Sequence, residues 1–237
     1  MDDEFEMTEE QKIQAEIEKE AKKQKTRKLA LAIGIPFLGI LFFLIGFIAW
    51  RQSTGIKHMK PVIYLYPETT EQISVQLDFD GELTCTYPEY KEGWTVTACP
   101  DGTLTDENGM VYSYLYWEGE SAEDYDFSEG FCVKGSETAA FLEQALEELG
   151  LTRREANEFI VYWLPMMEEN KYNVISFQTD AYTNRAKLTV NPEPDTAIRV
   201  FMVWKKSNRP VAIKEQKLSA PTRTGFTLVE WGGAEMN

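Results

Sequence analysis

The chain has 237 residues, 13% of them aromatic, and is long enough to bury a core without disulfide staples. Its 39 acidic and 24 basic residues give a formal net charge of −15. This balance argues against a nucleic-acid partner, because nucleic-acid binding needs a basic surface.

The most distinctive segment is an uncharged run from residue 29 to residue 50, rich in Leu, Ile, Phe, Ala and Gly and interrupted by Pro36. As a helix, its 22 residues would be roughly 33 Å long, which exceeds a bilayer core of about 30 Å. A cleaved signal peptide would have a shorter apolar stretch and a small-residue cleavage site. A buried core helix is seldom apolar on every face. The run therefore predicts a transmembrane helix at 29–50.

Positive charge around this run predicts its orientation. Six basic residues precede the run within ten positions and three follow it, which places a charged tail, residues 1–28, in the cytoplasm. Residues 51–60 are expected to form a polar linker, and residues 61–233 a domain outside the cell. The sequence thus predicts a single-pass protein of the cell membrane with a cytoplasmic amino terminus.

Strand signals begin after Pro61. Residues 62–66 are a continuous apolar run between two prolines, which is typical of a strand buried on both faces. Residues 73–79 alternate apolar and polar, as a half-buried strand does. Residues 198–204 carry large apolar side chains on both faces, which predicts a central strand. Further short strands are predicted at 83–87, 94–98, 111–117, 130–133, 159–164, 173–177, 186–190, 211–213 and 226–231.

Two helices are predicted between residues 136 and 158. Ser136 is the expected N-cap of the first helix, and Gly150 its expected end. Thr152 and Glu155 form a capping box that opens a second, shorter helix. About ten short strands with an inserted helical pair predict an α+β fold, in which the transmembrane helix precedes a β-rich, sandwich-like domain of two packed sheets.

The search for catalytic groups starts from the single histidine of the chain, His58, which falls in the predicted linker. Catalytic triads and His-ligated zinc sites need a histidine inside the domain, so these classes are excluded and no cofactor is expected. Carboxylates remain as candidates. Glu118, Asp124 and Asp126 follow an aromatic strand, an arrangement found in glycosidases and also in many solvated loops.

Asp78, Asp80 and Glu82 are candidate calcium ligands at the end of a strand. Their spacing is not that of an EF-hand loop, and a solvated strand end is the alternative. Cys85 and Cys99 fall opposite each other if Gly93 lies at a hairpin tip, which would allow a disulfide; the alternative is that the cysteines are small buried residues.

A row of tyrosines is the candidate ligand-binding surface. Tyr112, Tyr114 and Tyr116 share one face of the predicted strand 111–117, at intervals of about 6.8 Å. Such a row can stack sugars or hold a peptide. Alternatively, the helix at 137–149 covers the row and the rings belong to the core.

Several stretches of the chain resemble a family of uncharacterised microbial proteins whose domain opens with the motif KPVIYLYP. They are residues 60–66, 100–104, 114–118, 157–165, 198–202 and 230–233. The resemblance spans nearly all of residues 60–233 and implies a single domain, without implying an activity.

Two functions are compatible with these observations. The first is a single-pass membrane protein that displays a non-catalytic domain for binding a glycan or protein ligand outside the cell. The alternative is a membrane-tethered, carboxylate-dependent hydrolase of envelope glycan. The first is favoured because the lack of a histidine within the predicted domain narrows the available chemistry.

Overall fold

The structure is a computed structural model that describes residues 19–20, 22–25, 43, 56–122 and 125–236. The chain divides into two compact units, Met1–Thr54 and Gly55–Asn237. In the first unit the described residues are helical. The architecture below is that of the second unit.

The predicted transmembrane helix is corrected by the structure. Within the described ranges, no helix combines the length and the apolar character needed to cross a membrane, and the longest has 15 residues. The apolar run shows that the composition suits a membrane span, but a span also needs a continuous helix of about 20 residues. Without such a helix in the described part of the chain, the structure also does not support the predictions that depended on it. These are the single-pass topology, the integral membrane partner, the localisation in the cell membrane and the two membrane-tethered functions. Residues 29–50, apart from Phe43, lie outside the described residues.

The second unit is built mostly of strands. In chain order, its described elements are β1 (Ile56–Tyr66), β2 (Glu71–Phe79), β3 (Glu82–Tyr87), β4 (Trp94–Ala98), β5 (Leu104–Thr105), β6 (Val111–Tyr112), β7 (Leu115–Ser121), β8 (Glu129–Lys134), α1 (Thr138–Glu148), α2 (Arg153–Met167), β9 (Tyr172–Phe177), α3 (Thr179–Arg185), β10 (Ala186–Asn191), β11 (Thr196–Ser207), β12 (Lys214–Glu215) and β13 (Thr227–Glu235). A 3-10 turn at Gly135–Glu137 precedes α1.

The strands form two sheets. The large sheet has eight strands in the order β12-β8-β9-β11-β13-β1-β7-β3, and the small sheet has five in the order β10-β2-β4-β5-β6. In the centre of the large sheet, β11 runs parallel to β13, and β13 runs antiparallel to β1. The fold is therefore mostly β rather than α+β.

Two cores lie on the two faces of the large sheet. On one face, α1 and α2 pack against Val62, Val200 and Trp231. On the other face, the small sheet and α3 pack against Ile63 and Phe201. The strands β1 and β11 are buried on both faces, which confirms their predicted character. The unit thus has three layers: helices, large sheet and small sheet.

Several predicted neighbours lie in different sheets. The segment 83–98, predicted as a hairpin, divides between β3, which pairs with β7 in the large sheet, and β4, which pairs with β2 in the small sheet. The predicted strand 111–117 likewise divides into β6 of the small sheet and β7 of the large sheet. The sheet to which a strand belongs depends on its partner strands, which are distant in sequence. Local sequence patterns therefore do not predict it.

The helical pair is longer than predicted. The capping box of Thr152 and Glu155 is confirmed at the start of α2. Residues 159–164, predicted as a strand from their aromatic and β-branched content, are helical. Phe159, Trp163 and Met167 recur every four residues and are fully buried, which is the pattern of a helix packed on one face. The side chain of Ser136, the predicted cap of α1, forms no cap, and α1 starts at Thr138.

Candidate functional site

The candidate site is centred on an irregularity in β1. The pairing register of β1 shifts between Met59 and Val62 against β13, and between His58 and Val62 against β7. At this bulge Lys60 has a positive φ of 57°, a conformation that costs a residue with a Cβ roughly 1–2 kcal/mol. Bulges of this kind redirect side chains and are common beside functional sites.

Five tyrosines lie on the helical side of the large sheet close to this bulge. Tyr64 and Tyr66 come from β1, Tyr114 from the bend just before β7, Tyr116 from β7, and Tyr162 from α2; we call them the tyrosine cluster. The rings of Tyr64 and Tyr66 are parallel, with an interplanar angle of 3° and centroids 6.1 Å apart. The Tyr114 ring packs edge-on against Tyr64 at 5.4 Å.

The ammonium group of Lys60 lies among three of these rings. Its Nζ is 5.1, 5.4 and 5.8 Å from the ring centroids of Tyr114, Tyr116 and Tyr162, within cation–π range. It also donates to the Tyr114 hydroxyl at 3.4 Å. The backbone N–H of Lys60 donates to Glu118 Oε1 at 3.4 Å.

Carboxylates accept hydrogen bonds from the tyrosine hydroxyls. The hydroxyl of Tyr64 donates to Glu158 Oε2 at 2.6 Å, and burial together with this bond raises the pKa of Tyr64. Burial, followed by a hydrogen bond to Glu118, raises the pKa of Tyr116. These hydroxyls therefore stay protonated at neutral pH, and their oxygens remain able to accept a further hydrogen bond.

Glu155 joins the cluster to the capping box of α2. It is fully buried, accepts from the backbone N–H of Thr152 at 2.7 Å, and is bridged by both terminal nitrogens of Arg223. Burial would raise the pKa of Glu155, but the bonds from Arg223 and Thr152 outweigh it and hold the pKa below its usual value. Burial, and then the nearby charge of Glu155, raise the pKa of Tyr66.

A small pocket opens beside the parallel pair of rings. It has a volume of about 100 Å³ and is lined by Tyr64, Tyr66, Asp101, Gly102, Thr103, Ser113 and Arg154; we call it the Tyr64–Tyr66 pocket. Gly102 has a φ of +86°, and a Cβ built there would lie 2.6 Å from the Tyr66 ring. A glycine at this position therefore lets the turn lie directly against the ring. The Thr103 N–H donates to Asp101 at 2.9 Å, and this bond lowers the pKa of Asp101.

The predicted tyrosine row is divided by the structure. Tyr114 and Tyr116 belong to the tyrosine cluster, where they are half-buried. Tyr112 lies in the small sheet, donates to Asp106 at 3.1 Å, and lines a separate, polar groove of about 520 Å³. The two sites are distinct because the chain crosses from one sheet to the other at Ser113. The helix beside Tyr114 and Tyr116 is α2, the source of Tyr162, rather than the predicted cover at 137–149.

The two candidate catalytic carboxylates that the structure describes, Glu118 and Asp126, have different surroundings. Glu118 lies in β7 beside Lys60 and Tyr116. Asp126 follows β7, accepts from the Ser128 N–H at 3.0 Å, and lines another groove of about 550 Å³. Asp124 lies outside the described residues.

The candidate metal ligands are exposed at the end of β2 and the start of β3. Asp78 is opposite Lys187 in the small sheet, and Glu82 is opposite Glu120 in the large sheet. Asp80 lies between them. Over the described ranges, no group of three or more His, Cys, Asp or Glu side chains is placed to hold a metal ion. The cysteines Cys85, Cys99 and Cys132 are free.

His58 lies in β1 rather than in a linker, and it is fully buried. Its Nε2 is 3.0 Å from Ser121 Oγ, and its ring packs against Phe79 and Phe201 at centroid distances of 5.0 and 4.9 Å. Burial, followed by the charge of Arg185, lowers the pKa of His58 to about 4. His58 is thus a neutral core residue.

Sequence reasoning missed Lys60, Tyr64, Tyr66, Tyr162 and Arg223 as site residues. The apolar run 62–66 was correctly interpreted as a strand, but its tyrosines were not considered as ligand-binding groups. Lys60 was assigned to the linker. The positive φ at the bulge cannot be recognised from the sequence, because the residue there is a lysine rather than a glycine. No pattern around Arg223 indicates its partner Glu155, which is 68 positions away.

Comparison with known proteins gives one relative of interest. A protein of Butyrivibrio fibrisolvens, described as "Uncharacterized protein in bglA 3'region", is 44% identical over 92 residues, which are 37% of this chain and 94% of that protein. No protein-family model matches the chain. No solved structure matches it significantly.

Proposed function

We propose that in this chain, which belongs to the same family as the uncharacterized protein of the Butyrivibrio fibrisolvens bglA 3' region, the Tyr64–Tyr66 pocket binds a saccharide. Support for this function comes from the residues of the pocket, because the description of the relative names no function. The observation that carries this proposal is the pair of parallel tyrosine rings, 6.1 Å apart, which line the same pocket as several polar side chains. An aromatic face beside a few converging polar groups is the usual composition of a small-ligand site.

The polar walls match the hydroxyl groups of a sugar. Asp101 supplies acceptors, Arg154 supplies donors, and Ser113 and Thr103 can do both. Arg154 is held 3.7 Å from Glu158, the residue that accepts from the Tyr64 hydroxyl. Tyr64, Glu158 and Arg154 are therefore linked by contacts, which lowers the entropic cost of ordering the buried Tyr64 ring around a ligand.

The proposal also gives a role to the sequence resemblance. Lys60, Tyr64 and Tyr66 all belong to the stretch that resembles the KPVIYLYP motif. Asp101 and Gly102 belong to a second such stretch. We propose that these stretches mark the family because they build this one site.

A glycan array followed by calorimetry with the full-length protein tests the proposal. Tyr66→Ala removes the less buried ring of the pair and is expected to weaken binding of the best saccharide about tenfold, equivalent to about 1.4 kcal/mol. Tyr87→Ala is the control for loss of an exposed ring, because Tyr87 is 61% exposed in β3 and its ring packs edge-on against Tyr112, which lines a different groove.

A second pair of variants separates binding from folding. Arg154→Ala removes an exposed side chain of the pocket, whereas its neighbour Arg153 bonds Glu143 at 2.7 Å and does not line the pocket. We expect Arg154→Ala to weaken binding and Arg153→Ala to leave it unchanged. Equal affinities for both variants, or a wild-type protein that retains no saccharide on the array, would overturn the proposal.

A further inference from the structure

Lys60 has an unusual electrostatic environment for a chain with 39 acidic and 24 basic residues. Across the described ranges no ion pair joins its ammonium to a carboxylate, although Lys57 in the same strand pairs with Glu120. An ammonium group carries three N–H donors. One of those of Lys60 bonds the Tyr114 hydroxyl, and the described part of the chain supplies no acceptor to the other two. Two donors of this half-buried cation are therefore left to solvent or to a ligand.

The backbone is distorted to place this cation where it is. Lys60 occupies the left-handed region at φ 57°, at the bulge between His58 and Val62. A lysine here costs stability that a glycine would not. The tyrosine rings hold the ammonium at centroid distances between 5.1 and 5.8 Å. Strain of this kind is retained where the positioned group has a function.

The cation lies beside the Tyr64–Tyr66 pocket. The Tyr114 ring centroid is 5.1 Å from Lys60 Nζ and 5.4 Å from the Tyr64 ring centroid. Ser113, the preceding residue, lines the pocket. Tyr114 therefore lies between the pocket and the ammonium, so a ligand that extends from the pocket across Tyr114 approaches Lys60.

We propose that Lys60 makes the site selective for acidic saccharides, in which a sugar next to the one in the pocket carries a carboxylate, as a uronate does. This inference rests on the proposed saccharide binding and adds the class of ligand. The carboxylate accepts the two N–H donors that the protein leaves free, and it pairs with a cation inside a partly dehydrated aromatic surround, where charge-assisted hydrogen bonds are strong.

The distant negative charges of the protein do not oppose this pairing, although the nearby carboxylate of Glu118, which accepts from the Lys60 backbone N–H, does oppose it in part. At physiological ionic strength, charges further apart than about 8 Å are largely screened. Direct contact between the carboxylate and the ammonium is screened much less. The net charge of −15 is therefore expected to slow association more than it weakens the bound state.

The test compares a uronate-containing trisaccharide with its neutral methyl ester, using the full-length protein in calorimetry at 0.15 M salt. The two probes share their hydroxyl pattern, and the ester replaces the negative charge by a methyl group. We expect the wild-type protein to bind the uronate about tenfold more tightly than the ester, a difference of about 1.4 kcal/mol. Lys60→Gln is expected to bring this ratio close to one, whatever its effect on the absolute affinities, and Lys60→Arg to preserve it.

Lys187→Gln is the matched control, since Lys187 is exposed in the small sheet, and its ratio is expected to equal that of the wild type. Equal binding of uronate and ester by the wild type, or an unchanged ratio in Lys60→Gln, would overturn the role of Lys60 while leaving saccharide binding intact. Failure of the wild type to bind either probe or any array saccharide would overturn saccharide binding itself.

Discussion

Arg199 and Glu230 are register partners on the parallel strands β11 and β13, and Arg199 Nε donates to Glu230 Oε2 at 2.6 Å. The carboxylate is completely buried and the arginine side chain is 11% exposed. The second oxygen of Glu230 accepts from the indole N–H of Trp117 at 3.1 Å. This pair links the centre of the large sheet to the core beneath the small sheet.

Breaking that pair is expected to be more costly than replacing it. Arg199→Met leaves a buried carboxylate unpaired and is expected to lower the free energy of unfolding by roughly 3–5 kcal/mol. The double variant Arg199→Met/Glu230→Gln keeps an acceptor for Trp117 without the charge, and we expect it to be more stable than Arg199→Met alone. Urea denaturation measures both of these and the single variant Glu230→Gln, and a double variant as unstable as the losses of the two single variants added together would refute coupling of the residues.

Thr152 is expected to contribute about 1 kcal/mol through the capping box of α2. Its hydroxyl accepts from the Glu155 N–H at 3.4 Å. Thr152→Ala should lower the free energy of unfolding by that amount, and with it the denaturation midpoint, and Thr152→Ser should not. The exposed Asn157 on the same helix provides the control Asn157→Ala. An unchanged midpoint for Thr152→Ala would show that the cap contributes nothing.

His58 makes stability depend on pH. Its folded pKa, about 4, lies below the value of 6.5 for an unperturbed histidine, so the unfolded chain binds an additional proton between these values. The free energy of unfolding is therefore at its full value above pH 6.5 and falls by about 3 kcal/mol as the pH is lowered to 4.

The measurement for His58 is the slope of stability against pH from 6.5 to 4.5, compared with that of His58→Gln. Carboxylates titrate in both proteins, so their effect cancels in the difference. We expect the wild type to lose up to about 1.4 kcal/mol more per pH unit than the variant. Identical slopes would mean that the folded protein accommodates the charged imidazole.

Lys60 provides a test of backbone strain in the absence of ligand. In a strand, Gly is normally less stable than Ala by about 0.5–1 kcal/mol. At the positive φ of Lys60 the order should invert, so that Lys60→Gly is more stable than Lys60→Ala by about 1 kcal/mol. Lys57, exposed in the same strand, is the control at which Gly should be the less stable variant. The usual order at both positions would show that Lys60 is unstrained.

The parts of the fold that the sequence predicted are those with a local cause. The strand 62–66 was recognisable because both of its faces are apolar, and β2 because its side chains alternate. The capping box of Thr152 and Glu155 depends on three residues of separation. By contrast, the segment 159–164 contains a helical period as well as β-forming residues. Packing against the face of the large sheet favours the helix over the strand, and the residues of that face are distant in sequence.

The candidate site was predictable only in pieces. Tyr114 and Tyr116 were identified from their spacing, but Tyr112 was grouped with them because the crossing at Ser113 has no local signature. Glu158 and Tyr162 reach the site through the packing of α2 on the large sheet. The role of Lys60 depends on a bulge set by pairing with two other strands. Such relationships follow from tertiary structure, and a single sequence does not contain them as a pattern.

The position of β13 has a consequence for synthesis of the protein. This strand, Thr227–Glu235, lies between β1 and β11 and pairs with both. Until the ribosome has released these residues, the first strand and the eleventh each have an open edge where a neighbour belongs. Nascent chains that stop before residue 227 are therefore expected to be recognised as incomplete, since exposed strand edges and apolar surface attract chaperones and other unfinished chains.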